Sequence, residues 1–156
     1  PLKISIEASQ DLTPSYMQYV DIIDIENTIN RIYAKSEQLT NEVEFRIDWT
    51  FSPELSLQGY FQPFYADMSY LSYYELISPE SMNLQPFDYL TLNDNPDFKW
   101  KNRKGTFVFR WEYSPGSTLF LVYNLSEYDY FSASDNSWTS ESSNAIVFKL
   151  NYWLKI

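Results

Sequence analysis

The sequence predicts an all-β protein, an antiparallel up-and-down β-barrel that crosses a membrane. Three observations lead there. Apolar and polar residues alternate with period two, tight turns alternate with longer acidic connections, and aromatic residues gather where strands meet the tight turns. Residues 43–51 place Val43, Phe45, Ile47, Trp49 and Phe51 on one face and Glu44, Arg46, Asp48 and Thr50 on the other. Residues 107–113 set Phe107, Phe109, Trp111 and Tyr113 against Val108, Arg110 and Glu112. The stretch 145–156 puts Ile146, Phe148, Leu150, Tyr152, Leu154 and Ile156 opposite Val147, Lys149, Asn151, Trp153 and Lys155.

Taken in order, the elements are seven strands over about 2–9, 15–23, 30–51, 54–66, 98–113, 117–130 and 144–156. Q-D-L-T-P at 10–14, S-P-E at 52–54 and S-P-G at 114–116 read as tight turns. Proline presets φ at the second turn position, and Gly116 supplies positive φ. The connections 24–29, 67–97 and 131–143 read as longer loops. Pro63 interrupts the fourth strand, where it cannot donate to a ladder, so a bulge or loop start is expected there. The repeat W-T-F-S-P (49–53) and W-E-Y-S-P (111–115) marks two strand ends of the same kind.

Composition bounds the chemistry. The 156 residues make one domain, 1–156, and contain neither His nor Cys. That removes disulfides, thiolate metal sites and His-dependent catalytic triads, so no enzyme activity and no cofactor is expected. The chain begins with Pro and shows no signal-peptide pattern, as expected of the C-terminal part of a longer protein. No run of eighteen apolar residues exists, and a mean hydropathy of -0.40 does not exclude a barrel that exposes only alternate residues to lipid.

The net charge of -10 is uneven. Residues 67–98 and 124–143 hold acids and no Lys or Arg, whereas K-W-K-N-R-K at 99–104 concentrates bases. Lys99, Lys101, Arg103 and Lys104 are therefore candidates for contact with lipid phosphates at the headgroup level far from the Ser-Pro turns. A solvated strand end that offsets the acidic loop is the plainer reading. An acidic chain with one basic cluster is a poor fit to nucleic acid.

Periodicity alone leaves two solutions. A soluble lipocalin-like barrel binding an apolar ligand would point the aromatic face inward; a membrane barrel points it at lipid. The membrane reading is favoured by the aromatic residues beside the tight turns, which suit an interfacial belt of Trp49, Phe51, Trp111, Tyr113 and Tyr152. It is favoured also by a chain that stops inside a strand, and by an odd strand count that upstream strands would complete. Glu44, Arg46, Asp48, Arg110, Glu112, Lys149 and Lys155 then face the lumen, where ion pairing across a narrow interior is expected. This puts the acidic loops outside the cell and the Ser-Pro turns and C-terminus in the periplasm. The N-D-N-P-D run at 93–97 offers oxygen ligands but lacks the rest of a Ca²⁺ loop. The tyrosine-rich loop 65–75 suits loop packing, a protein interface or sugar stacking.

Three strings carry a family resemblance. F-R-I-D-W-T-F-S-P-E-L-S-L-Q-G-Y-F-Q-P-F (45–64), F-R-W-E-Y-S-P-G-S-T-L-F-L-V-Y (109–123) and F-K-L-N-Y-W-L-K-I (148–156) resemble, in order, signature runs of the DUF5916 family. The resemblance implies a C-terminal outer-membrane β-barrel region of Bacteroidetes-type bacteria. It also implies an N-terminal domain like family 9 carbohydrate-binding modules, absent from these residues, through which a glycan would be bound. The expected partners are outer-membrane lipid or lipopolysaccharide and other outer-membrane proteins. The expected role is a non-catalytic scaffold or a transport or assembly subunit associated with polysaccharide handling. Ile156 departs from the aromatic residue that usually ends such barrels.

Overall fold

The computed structural model describes residues 1–25, 27–78, 80, 83–89 and 94–154. Seven strands account for nearly all of them: β1 (Leu2–Ile25), β2 (Thr28–Ser52), β3 (Leu55–Ser78), β4 (Asn83–Phe87), β5 (Phe98–Ser114), β6 (Ser117–Ser132) and β7 (Ser137–Asn151). They form one antiparallel sheet in the order β1-β2-β3-β5-β6-β7, with β4 paired to the upper part of β3. The sheet is an up-and-down meander and is not closed: among the described residues β1 pairs only with β2, and β7 only with β6.

Several expected boundaries move. Residues 2–9 and 15–23 are one strand, and Q-D-L-T-P is no turn; Pro14 sits within β1 opposite Glu37. Proline is tolerated there because β1 is an edge strand whose outer side needs no donor, and the register slips just beyond, between Ser15 and Gln18. The loops expected at 24–29 and 131–143 are tight turns. Asn27 (φ 63) and Asn136 (φ 48) take left-handed conformations, and pairing resumes at Ile25–Thr28 and Ser132–Ser137. Asn adopts that region more readily than most residues. The tyrosine-rich stretch 65–75 is strand β3 rather than a loop. At the C-terminus the last strand ends at Asn151; Lys155 and Ile156 lie outside the described residues.

The two Ser-Pro turns lie side by side because β3 pairs with β5, Leu55 opposite Trp111. Each is tied by its own acid. The Glu54 carboxylate accepts the Ser52 hydroxyl proton at 2.9 Å. Glu112 accepts the Gly116 N–H at 3.0 Å and an Arg110 guanidinium N–H at 2.9 Å. The Glu112 N–H in turn donates to the Glu54 carbonyl at 2.7 Å, which joins the two turns.

At the opposite end, β1, β2 and β3 run on past the ends of the later strands. They are 24, 25 and 24 residues long against 17, 16 and 15 for β5, β6 and β7. There lies the buried core: Ile32, Ala34, Tyr73 and Tyr89, with Val20, Ile23, Tyr70 and Phe87 packed on it. Burial pushes the Tyr73 phenol up to about 12 and raises that of Tyr89 as well. The segment 94–97 straps this end. Asp94 accepts the hydroxyls of Tyr89 (3.0 Å) and Ser134 (2.5 Å), and Asp97 accepts the Tyr70 N–H (2.7 Å).

Candidate functional site

Cross-strand register turns the alternation into a surface. On one face of the sheet, hereafter the aromatic face, consecutive rows read Leu55–Trp111–Leu119–Leu150, then Leu2–Trp49–Leu57–Phe109–Leu121–Phe148. The next are Ile4–Ile47–Gly59–Phe107–Tyr123–Ile146 and Ile6–Phe45–Phe61–Gly105–Leu125–Asn144. Ala8, opposite Val43, extends the apolar run on β1 and β2. Five strand spacings of ~4.8 Å and four row steps of ~6.7 Å make a patch on the order of 650 Å². Much of it is uncovered: Ile4, Ile6, Ile146 and Phe148 are between 59% and 73% exposed. Soluble monomers rarely present an apolar patch of that size.

The glycines let the rows close up. A Cβ on Gly59 would stand 2.6 Å from Ile47 Cγ2 and 2.8 Å from Phe107 Cδ1, so the two neighbouring side chains lie across the glycine.

The border of this patch is oblique. Moving away from the Ser-Pro turns, the unbroken apolar run ends at Ala8 on β1, Val43 on β2, Gly105 on β5, Leu125 on β6 and Ile146 on β7, with Leu12, Leu39, Phe131 and Trp138 standing apart from it farther along the same face. The next residues on that face are Gln10, Asn41, Arg103, Glu127 and Asn144. From β1 to β7 the border drops by two rows, ~13 Å over ~24 Å of sheet, a slope of about 30° to the hydrogen-bonded rows.

Beyond the border the two faces exchange character. On β3, β5 and β6 the aromatic face becomes charged: Arg103 pairs with Glu127 (3.2 Å) and Asp129 (3.1 Å), and Lys99 pairs with Asp67 (3.2 Å), while Leu12, Leu39, Phe131 and Trp138 stay apolar around them. The Asp67 carboxylate holds the Lys99 ammonium above its usual range. Its opposite face becomes apolar there, with Phe64, Ala66, Met68, Phe98, Trp100, Tyr128 and Tyr130 in successive rows. Phe64 meets Trp100 edge-on at 6.3 Å, and Phe98 stacks on Tyr130 at 5.7 Å. The buried core around Ile32 and Ala34 continues this same face, because β2 keeps its even-numbered residues on that side.

Below the border the opposite face is polar across β1–β3. Arg46 pairs with Glu44 at 2.5 Å and lies over the Tyr60 ring at 5.1 Å. Asp48 accepts an amide N–H from Gln58 at 3.2 Å, and Gln62 donates to Glu42. Toward β6 and β7 the face carries Phe120, Val122 and Val147 beside Arg110 and Lys149. The charge pairing expected across the interior is found along single strands instead, between residues two apart: Glu44 with Arg46, and Arg110 with Glu112. Such neighbours share a face at one strand pitch, so they pair without any closure of the sheet. Lys155 lies outside the described residues.

The aromatic residues expected at the turn end are together. Trp49 and Phe51 rings are 4.1 Å apart, and Trp111 and Tyr113 meet edge-on at 6.1 Å. The Tyr113 hydroxyl donates to the Asn151 carbonyl at 3.2 Å, and Tyr152, past the end of β7, is 68% exposed. The basic cluster splits. Lys99, Lys101 and Arg103 lie on the aromatic face just beyond its apolar part, whereas Lys104 lies on the opposite face between Gln62 and Ser126. Period-two alternation alone separates Lys104 from Arg103, a consequence that treating 99–104 as one patch overlooks.

Asp94 and Asp97, from the oxygen-rich run 93–97, are used as hydrogen-bond acceptors within the strap; Asn93 lies outside the described residues. No group of three or more His, Cys, Asp or Glu is arranged to hold a metal ion among the described residues. Tyr73, from the tyrosine-rich stretch 65–75 read as suiting loop packing, a protein interface or sugar stacking, is buried, stacked on Tyr89 at 4.9 Å.

Fold and site together define a class: an antiparallel β-meander with one apolar, obliquely bordered face and, among the described residues, outer edges without a partner strand. No family model, curated protein or solved structure matches the chain.

Proposed function

We propose that these residues form the C-terminal part of an outer-membrane β-barrel of the DUF5916 type, serving as a non-catalytic scaffold or a transport or assembly subunit. The observation that carries the reading is the oblique border at which the two faces exchange polarity. In a membrane barrel the strands tilt by roughly 35–45°, so a horizontal lipid boundary must cut the hydrogen-bonded rows at an angle. A slope of about 30° is close to that, and at this tilt four row steps span about 23 Å, near the ~25 Å band of such barrels. Above the boundary the outer face meets water and takes up the ion pairs of β3, β5 and β6 among scattered apolar residues, while the inner face packs like the interior of a soluble protein.

The free edges of β1 and β7 support completion by further strands, since unpaired backbone groups cannot remain in hydrocarbon. The soluble lipocalin-like alternative would need the aromatic face inside, yet the buried core and the segment that covers it lie on the other face. Association with polysaccharide handling, and with a carbohydrate-binding domain, rests on the family resemblance. The Ser-Pro turns then sit in the periplasm and the strap outside the cell.

Fractionation of cells expressing the full-length protein tests this. The expected result is recovery in the outer membrane and release only by detergent; a monomer purified in buffer without detergent refutes it.

A further inference from the structure

The connection from β3 to β5 folds onto the inner face of the sheet rather than away from it. Phe87 pairs with Tyr73 and packs on the core, and Tyr89 lies 2% exposed against Ile32 and Ala34, stacked on Tyr73. One carboxylate carries this cover to the far side. Asp94 accepts the Tyr89 hydroxyl at 3.0 Å and, at 2.5 Å, the hydroxyl of Ser134 in the turn between β6 and β7. Asp97 repeats the bridge with both its oxygen groups: its carboxylate accepts the Tyr70 N–H of β3 at 2.7 Å, and its carbonyl accepts the Ala133 N–H of the same turn at 3.0 Å. In the sheet order β2-β3-β5-β6, the described residues 83–89 and 94–97 thus tie the inner side of β2 and β3 to the end of β6, with β5 between them.

Below this cover the centre of the inner face stays apolar. Phe64, Trp100, Phe98 and Tyr130 form ring pairs there, and Trp100 and Tyr130 remain 43% and 39% exposed, so their rings stand out from the wall. A water-filled barrel interior is lined by polar groups, and an apolar constriction closes a passage by shedding its water.

We propose that the strap is a closed outer gate. Tyr89 and Asp94 latch it across the mouth of the barrel, and the aromatic rows beneath keep the passage dry, so ions and small polar solutes do not cross. The proposal rests on the membrane reading and goes beyond it by deciding between a conduit and a closed body. Opening requires Asp94 to release Ser134 and Tyr89 to leave its place on Tyr73.

The test is ion conductance of the full-length protein in planar lipid bilayers, with insertion checked by flotation of liposomes that carry it. The unaltered protein should show no more than rare openings. Tyr89→Phe, which keeps the ring and loses one latch bond, should raise the open fraction about fivefold. Asp94→Ala, which loses two, should raise it about 30-fold, at ~1 kcal/mol per bond. Tyr16→Ala, at a position 74% exposed on β1, should leave it unchanged. Asp94→Cys with Ser134→Cys places two thiols in a chain that has no other cysteine. Joining them with a short reducible bifunctional thiol reagent should shut the passage and reduction should reopen it, a reversal that a loosened fold would not give. Steady conductance of the unaltered protein, silence of Asp94→Ala, or conductance indifferent to the crosslink would overturn the gate. A protein that needs no detergent and does not float with liposomes overturns the membrane reading itself, whereas one that inserts and conducts freely sinks only this inference.

Discussion

Phe148→Arg against Val147→Arg separates a lipid-facing sheet from a water-facing one. The two residues are neighbours on β7, point to opposite faces and are both largely exposed, 61% and 50%. Phe148 therefore has about two-fifths of its surface in contact with the protein. Taking ~1.5–3 kcal/mol for fully burying such a side chain, its removal costs about 1 kcal/mol in packing. In water little else would follow, since exposed substitutions fall within about 0.5 kcal/mol of neutral. In lipid an Arg near mid-depth adds roughly 2–4 kcal/mol. The account therefore predicts a loss of about 3–5 kcal/mol for Phe148→Arg and of about 1 kcal/mol or less for Val147→Arg. Reversible guanidinium unfolding of the full-length protein from lipid vesicles, followed by tryptophan fluorescence, gives both values. Equal losses for the two variants, or a larger one for Val147→Arg, would refute the assignment of faces.

Other consequences are smaller in scale. Gly59→Ala should cost about 1–3 kcal/mol in the same assay, because the new methyl would meet Ile47 and Phe107 at 2.6 and 2.8 Å. Gly116→Ala forces a side chain into φ +77 against Trp153 and should cost about 1–2 kcal/mol. Asp97→Ala leaves the Tyr70 N–H without its acceptor, so a loss of about 1–3 kcal/mol and faster proteolysis near the strap are expected. The Tyr73 phenol is held up to about 12 in the folded chain against about 10 unfolded. Its contribution is therefore complete below pH 10 and is lost as pH rises toward 12, since the unfolded state ionises first. Tyr73→Phe should flatten that fall in stability between pH 9.5 and 11.5.

The parts of the fold legible in the sequence are those in which a single face is apolar. Between Val43 and Phe51, and between Phe107 and Tyr113, every second residue is apolar, and both stretches are strand. S-P-E and S-P-G announced their turns through residues with fixed backbone preferences. The outer halves were misread for a physical reason. Past the border the apolar residues change sides, so Tyr65, Asp67 and Ser69 follow Leu57, Gly59 and Phe61 on one face, while Ala66 and Met68 are buried on the other. A period-two pattern that reverses phase within one strand looks like no pattern, and Ser- and Asn-rich S-A-S-D-N-S-W-T-S reads as loop by composition. Pro14 misled in the same way, because only an edge position makes it harmless, and edge status is a property of the sheet. The aromatic turn-end residues were found by spacing. The split of Lys104 from Lys99, Lys101 and Arg103 follows from alternation, and was legible.

The exchange of faces can be read directly along β6, and the absence of cysteine from the chain makes single-cysteine spin labelling clean. Labels at each position from Leu119 to Phe131, in the full-length protein reconstituted in lipid vesicles, would be scored for collision with oxygen and with a water-soluble nickel chelate. Oxygen contact should peak at Leu119, Leu121, Tyr123 and Leu125 and dip at Phe120, Val122 and Asn124. From Glu127 onward the chelate should reach Glu127 and Asp129, while Tyr128 becomes the shielded position. Chelate contact at Leu121 and Tyr123, or an alternation that keeps the same phase through Phe131, would contradict the account.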